Sequence, residues 1–314
     1  MVGVSLSDPS EESLLPSSRS GFIREHFTDI REYATLFGII EAEQPNIIIH
    51  LAAEALVPVC SEKPTLAFSV NVMGTINILE AAMKVASVDV VAISTTDKVY
   101  KNENKGLAFS EDSPLEGRDP YSGSKVGQEN AIFAYQNYAN NVGKRLLTLR
   151  AGNVIGGGDI SPLRLLPDYA RSMATNSILE IRNPNATRPW QHVLDCLFGY
   201  LLAIQSSSSF KDHEVFNFGP TGSSLSVSEV LEEASKISKV AVNSVNTVSD
   251  FYEAKLLELS SVKSRNLLGW NPIYTQKESV EATISWWNEV FAGKSHSDVS
   301  KYEIEKFFAK ASND

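Results

Sequence analysis

Along the first half of the chain, short continuous apolar runs alternate with longer stretches whose apolar positions recur every three to four residues. "NIIIH" (46–50), "VDVVAIS" (88–94) and "RLLTLRAGNV" (145–154) are mostly apolar and of strand length, the pattern of strands buried on both faces. "VGVSL" (2–6) reads as a further short strand, followed by a Ser/Pro/Glu-rich loop. "REYATLFGIIEAEQ" (31–44) has helical spacing and is stopped by Pro45. "TLAFSVNVMGTINILEAAMKVA" (65–86) and "PYSGSKVGQENAIFAYQNYANN" (120–141) are also helical, the latter with Pro120 in its first turn. Strands alternating with helices predict right-handed βαβ units and a doubly wound parallel sheet of the α/β class. After residue 152 the pattern becomes irregular, and helices dominate from "LDCLFGYLLAIQ" (194–205) onward. Residues 1–152 are therefore expected to form the sheet domain. Residues 153–314 are expected to form mainly a smaller mixed α/β lobe, with some elements returning to the sheet.

Composition changes this picture little: 43% of the 314 residues are hydrophobic and 21% are charged, as in a soluble globular protein. A net charge of −10 argues against a nucleic-acid or anionic-membrane surface. No uninterrupted apolar run reaches the ~18 residues of a membrane span. The first residues lack the basic and apolar regions of a signal peptide. The two cysteines, Cys60 and Cys196, match no metal-ligand spacing and imply no disulfide framework, so a reducing cytoplasm is expected and no metal.

Candidate chemistry gathers at two places. Tyr121 and Lys125 form Y-x-x-x-K at a helix start, and the i,i+4 spacing puts them on one face. A lysine ammonium beside a phenol favours the phenolate, which makes a general base for a hydroxyl group. The run "VAISTTDKVY" (91–100) ends a buried strand in the hydroxyls of Thr95 and Thr96 and then in Asp97 and Lys98. Ligands of open α/β sheets bind beyond such carboxyl ends. Asp97 and Lys98 can reach one ligand only if the strand has ended by Thr96, because strand neighbours point to opposite faces. "GGGD" (156–159) is not a G-x-G-x-x-G turn placed between strand and helix, and reads as a flexible turn on the ligand side.

Hydroxyl, tyrosine and lysine in this arrangement resemble the triad of the short-chain dehydrogenase/reductases, in their extended, nucleotide-sugar-modifying branch. "HLAAE" (50–54) resembles that branch's dinucleotide-contact segment and "TDIRE" (28–32) its adenine-contact segment. "TDK", "DPYSGSK", "RAGNVIGGGD", "RLLPD" and "IRNPNATRPWQHVLD" together resemble the CDP-glucose 4,6-dehydratases, from about Val2 to Trp287. The resemblance implies a Rossmann-like sheet and NAD as cofactor, contacted by Asp29, Ile30, Leu51, Ala52, Ala53, Tyr121 and Lys125. It implies a nucleotide diphosphate sugar, CDP-glucose, as substrate, contacted by Asn153, Arg164 and Arg188. It also implies a homodimer. In the implied reaction Tyr121, with Lys125 and Thr96, takes the proton of the sugar 4-hydroxyl as hydride leaves C4. Asp97 and Lys98 serve the loss of water across C5 and C6, with Lys98 acting as base or only as an electrostatic stabiliser. Hydride then returns to C6, giving a 4-keto-6-deoxy sugar. The family begins with a strand, a glycine-rich turn and a helix; "VGVSL" matches its second strand, so the first βα unit is expected to be absent and strand edges to be left unpaired. Two other readings stand beside this one: a nucleotide-sugar 4-epimerase, which needs no elimination pair, and a non-catalytic relative acting in binding or assembly.

Overall fold

The computed structural model describes residues 1–6, 24–245 and 254–312, so the Ser/Pro/Glu-rich loop lies outside the described residues. The chain divides into two compact units. The first comprises Met1–Lys101, Glu111–Arg150 and Tyr200–Asn217; the second comprises Asn102–Ser110, Ala151–Gly199 and Phe218–Asp314.

In chain order the first unit contains β1 (Val2–Ser5), β2 (Arg24–Phe27), α1 (Tyr33–Glu43), β3 (Ile47–His50) and α2 (Val57–Glu62). Next come α3 (Pro64–Phe68), a π-helical turn (Ser69–Gly74), α4 (Thr75–Lys84) and β4 (Val90–Ser94). After β5 (Ala108–Phe109), which belongs to the second unit, α5 (Pro120–Asn141) and β6 (Arg145–Ala151) complete the pattern. The main sheet has the order Glu214–Phe218, β6, β4, β3, and β4 runs parallel to both neighbours. Leu79, Val91, Ile93, Ile132 and Leu146 fill the core between this sheet and α4 and α5. The parallel βαβ architecture is the expected one.

"NIIIH" departs from its expectation of burial on both faces. Ile47 is 46% and Ile49 44% exposed, whereas Ile48 packs on the core and His50 is buried. Among the described residues β3 pairs only with β4, and β1 pairs only with β2 in a separate parallel ribbon. An edge strand with one covered face keeps one isoleucine set in solvent.

The helical stretch Pro64–Lys84 is, by length and composition alone, apolar enough to cross a membrane. Its apolar runs are broken by Ser69, Asn71, Thr75 and Asn77, which is why no uninterrupted run stands out. Half of its most apolar window is buried, α4 packs on α1 and α5, and Asn71 and Thr75 are buried with hydrogen-bond partners. It is a core helix of the first unit.

The second unit contains β7 (Asn153–Ile155), α6 (Leu165–Thr175), β8 (Leu179–Ile181), β9 (Thr187–Arg188) and β10 (Trp190–His192) among its strands and helices. β10 runs parallel to β7. Leu166, Tyr169, Trp190, Val230, Val280 and Ile284 form its core. The glycine run has a packing reason here. A Cβ on Gly157 would sit 2.1 Å from the Trp286 ring, and Gly158 has a φ of +84°.

Candidate active site

β4 is fully buried from Val90 to Ile93, and its ladder with β6 closes at Ser94 opposite Leu149. Thr95 makes one further backbone bond, from its N–H to the Leu149 carbonyl (2.8 Å). Thr96 is still extended, and its hydroxyl oxygen accepts from the Lys98 N–H (3.3 Å). It thereby caps a single tight turn over Asp97–Val99. The two threonines diverge. Thr95 donates to Glu129 Oε1 (2.7 Å), and Thr96 donates to Asp97 Oδ1 (3.2 Å). The strand has ended before Asp97, so the strict alternation of faces no longer applies to Asp97 and Lys98. Asp97 is buried, and the partly exposed Lys98 holds its ammonium 5.8 Å from the centre of the Tyr121 ring.

Tyr121 is placed by the start of α5. Asp119 is the N-cap, its Oδ1 accepting from the N–H groups of Tyr121 (2.9 Å) and Ser122 (3.0 Å), and Pro120 needs no donor in the first turn. One turn on, Lys125 is buried and donates to the Ser94 carbonyl (3.3 Å) and to Gln128 Oε1 (2.9 Å). Burial pushes its ammonium down to about 8, against the opposing pull of Glu129. The structure thus brings Thr96, Asp97, Lys98, Tyr121 and Lys125 to one place, where the carboxyl end of β4 meets the amino end of α5.

A buried ion pair braces this junction. Arg150 donates to Glu129 through Nε (2.8 Å to Oε1) and Nη2, and to the Tyr100 hydroxyl (2.8 Å) and the Glu111 carbonyl (3.1 Å). Tyr100 in turn donates to Asn217 Oδ1 (2.7 Å). Burial, opposed by the guanidinium, pushes the Tyr100 phenol up, so it serves as a neutral donor. Arg150→Met leaves Glu129 charged and without its guanidinium in the interior, with an expected loss of about 3–5 kcal/mol. Urea unfolding checks this as a lowered midpoint at unchanged m. Glu129 and Arg150 are not evident as a pair from the sequence alone. The available signals were an acid four residues after Lys125 and an arginine inside an otherwise buried strand.

The residues assigned to a cofactor lie at the carboxyl ends of β2 and β3. Asp29 follows β2 and accepts from the Arg31 backbone N–H (2.8 Å) and from its guanidinium (2.5–3.0 Å). The Arg31 hydrogen bonds hold its carboxyl below the ordinary carboxylate range. Ile30 is buried under Gly74, where a Cβ would meet its side chain at 2.4 Å. Leu51 is 54% exposed, Ala52 is exposed and Ala53 half-buried. An acceptor carboxylate and a strand exit bearing small side chains fit a dinucleotide at these two places.

In the second unit Asn153 opens β7, its N–H bound to the Pro189 carbonyl (2.9 Å), next to Arg188 in the chain. Arg188 is buried, and its guanidinium donates to the Thr187 carbonyl (2.7 Å). Arg164 is half-buried at the N-cap of α6 and faces Asp159 (3.3 Å). The structure brings Asn153 beside the Arg188 segment, and Arg164 pairs with Asp159. Trp190 belongs to the core, donating to the Leu225 carbonyl (3.0 Å). His192 is buried, with its Nδ1 accepting from the Leu194 N–H (3.3 Å). No cluster of metal-ligating side chains occurs among the described residues.

A doubly wound sheet with Y-x-x-x-K at a helix start, packed on a hydroxyl-terminated strand exit, defines the class: an extended short-chain dehydrogenase/reductase. Within it, residues 13–283 match the family described as GDP-mannose 4,6 dehydratase, and the chain belongs to that family. It is 34% identical to the CDP-glucose 4,6-dehydratase of Salmonella typhimurium, over 98% of this chain and 89% of that protein. It is 27% identical to the UDP-glucose 4-epimerase of Lactobacillus helveticus, over 83% of this chain and 82% of that protein. The dTDP-glucose 4,6-dehydratase of Streptomyces venezuelae has the same fold, with a TM-score of 0.78 at 22% identity, covering 92% of this chain and 87% of that one. So does the UDP-glucuronic acid 4-epimerase of Bacillus cereus, with a TM-score of 0.79 at 22% identity, covering 92% and 91%.

Proposed function

We propose that this chain is an NAD-dependent nucleotide-sugar 4,6-dehydratase that converts CDP-glucose to CDP-4-keto-6-deoxyglucose. The observation that carries the reading is the meeting of two residue sets: Lys98 of the Thr96-Asp97-Lys98 turn lies over the ring of Tyr121. An oxidation pair alone serves an epimerase as well. An acid and an amine beside it suit the loss of water.

Tyr121, as phenolate, takes the proton of the sugar 4-hydroxyl, and the Lys125 ammonium one turn away stabilises the phenolate's charge. NAD, held by Asp29, Ile30, Leu51, Ala52 and Ala53 together with Tyr121 and Lys125, supplies the acceptor for the C4 hydride and its donor to C6. The 4-ketone acidifies the C5 proton. Lys98 receives that proton, and the face of Tyr121 favours the ammonium that results. Asp97 protonates the leaving C6 hydroxyl, and Lys98 returns a proton to C5 when hydride reaches C6. Thr96 anchors the turn that presents both groups. Arg188 and Arg164 offer guanidinium forks to the diphosphate, and Asn153 offers an amide to the substrate. The resemblance of the site residues to the CDP-glucose enzymes and the 34% identity support cytidine as the nucleotide.

The same reading takes the enzyme as a cytoplasmic homodimer. Exposed Phe68 on α3, Met73 on the π-helical turn and Phe133 on α5, the helix that carries Tyr121, supply apolar surface for pairing. Incubating the chain with CDP-glucose and NAD and weighing the product tests the function. The expected sugar nucleotide is lighter by one water. A product of unchanged mass with C4 inverted would favour the epimerase reading instead.

A further inference from the structure

The active face of α5 does not stop at Lys125. One turn on, Gln128 is buried, and its two amide ends have different partners. Oε1 accepts from Lys125 Nζ (2.9 Å), and Nε2 donates to Thr75 Oγ1 (2.8 Å). Thr75 follows the π-helical turn, and its hydroxyl donates to the Asn71 carbonyl (2.8 Å). The same oxygen lies 3.0 Å from Nε2 of His50, the last residue of β3. A hydroxyl has one proton, and here Asn71 receives it. His50 therefore donates, which fixes its Nε2–H tautomer. Burial, with Lys125 second, pushes His50 down to about 3, so the ring is neutral. Every donor in the chain His50–Thr75–Gln128–Lys125 now has one direction. A flipped Gln128 would set its NH₂ against an ammonium and its carbonyl oxygen against a hydroxyl oxygen with no proton to give.

We propose that Gln128, held by Thr75 and His50, is a positioning residue that fixes the Lys125 ammonium between its own amide oxygen and the Ser94 carbonyl, one turn from Tyr121. The proposal rests on the roles given to Tyr121 and Lys125 above. A neutral acceptor suits the place. A buried ammonium needs partners, but a second free carboxylate beside it would hold the phenol's proton more tightly. The titratable groups facing Lys125 are Glu129 from its own helix, Cys60 from α2 and His50 from β3. Glu54 and Asp119 face Cys60, and Lys98 lies over the Tyr121 ring. Glu129 is already matched by Arg150. Gln128 thus holds Lys125 without adding charge. It also ties the lysine to the end of β3, directly before the Leu51–Ala53 segment.

Tyrosine labelled with ¹³C at Cζ reports the ionisation of Tyr121 in the full chain without added ligand, assigned by Tyr121→Phe. Gln128→Glu keeps the shape and adds a charge. It is expected to raise the Tyr121 midpoint by about one pH unit, and the rising limb of kcat/KM for CDP-glucose with it. Thr75→Val is expected to lower kcat about tenfold with the sugar KM unchanged, and Thr75→Ser to keep wild-type kcat. An unmoved midpoint in Gln128→Glu, or Thr75→Val as active as Thr75→Ser, overturns the proposal, whatever change in melting temperature accompanies it. If the wild-type chain does not turn over CDP-glucose, the functional reading fails. The phenol midpoint of Gln128→Glu still decides the proposal.

Discussion

Tyr121→Phe is expected to lower kcat for CDP-glucose by about 10²–10⁴-fold, the range of a lost general base, with KM changed little. The substitution removes one oxygen from a residue at the protected start of a capped helix, so the helix should form as before. The sugar loses the group that accepts its 4-hydroxyl proton, and no later step can begin. Lys125→Met should produce a similar loss by a different route, because the phenol remains but its anion is no longer stabilised. Steady-state kinetics at several pH values separates the two cases. In the wild type, activity should fall as pH rises through about 8, the value to which burial pushes Lys125. Stability should move the other way. A lysine with a lowered folded value binds fewer protons folded than unfolded between about 8 and its ordinary value. The unfolded chain holds the extra proton in that window, so its contribution to stability rises with pH. Activity lost while stability is gained would identify Lys125 rather than general alkaline unfolding.

Asp97→Asn and Lys98→Met carry the second large effect, and they should divide the reaction. Asp97 is buried at the turn that ends β4, and Lys98 lies over Tyr121. Neither is asked to oxidise C4. Asp97→Asn should lower dehydration about 10²–10³-fold while C4 oxidation stays near wild type, so that a 4-keto sugar still bearing its 6-hydroxyl accumulates. Lys98→Met should also block dehydration and, in D₂O, should abolish deuterium uptake at C5, which Asp97→Asn retains. Lys98→Arg tests the charge on its own. It keeps a cation but gives no base at neutral pH, so it should resemble Lys98→Met. Mass spectrometry of the sugar nucleotides reads all three variants. If either Asp97→Asn or Lys98→Met dehydrated CDP-glucose at the wild-type rate, the elimination roles would be wrong.

What the sequence disclosed of the site was its local part. Y-x-x-x-K needs only helical geometry to share a face, and "TTDK" after an apolar run needs only a strand that stops. Both were readable because neighbours along the chain determine them. The face of Gln128 and Glu129 was readable in the same way, yet their partners were not. Thr75, His50 and Arg150 come from three other elements, and only packing brings them to α5. Thr95 and Thr96 both end the apolar run, and the resemblance singles out Thr96; that Thr95 turns to Glu129 and Thr96 to Asp97 is visible only in the fold. "NIIIH" looked like a strand covered on both faces. An apolar run records what a strand tolerates and leaves open which of its faces is covered, and β3 leaves Ile47 and Ile49 exposed on one face. "GGGD" read as a flexible turn; Trp286 packing closely on Gly157 could not be seen without the fold.

The central claim is that one sugar is oxidised at C4, dehydrated across C5 and C6, and reduced at C6 within one site. CDP-glucose carrying deuterium at C4 tests it most directly. The account predicts a product lighter by one water whose deuterium is found at C6 by NMR, in proportion to the label supplied. Deuterium retained at C4 of an intact hexose with inverted configuration would contradict the account.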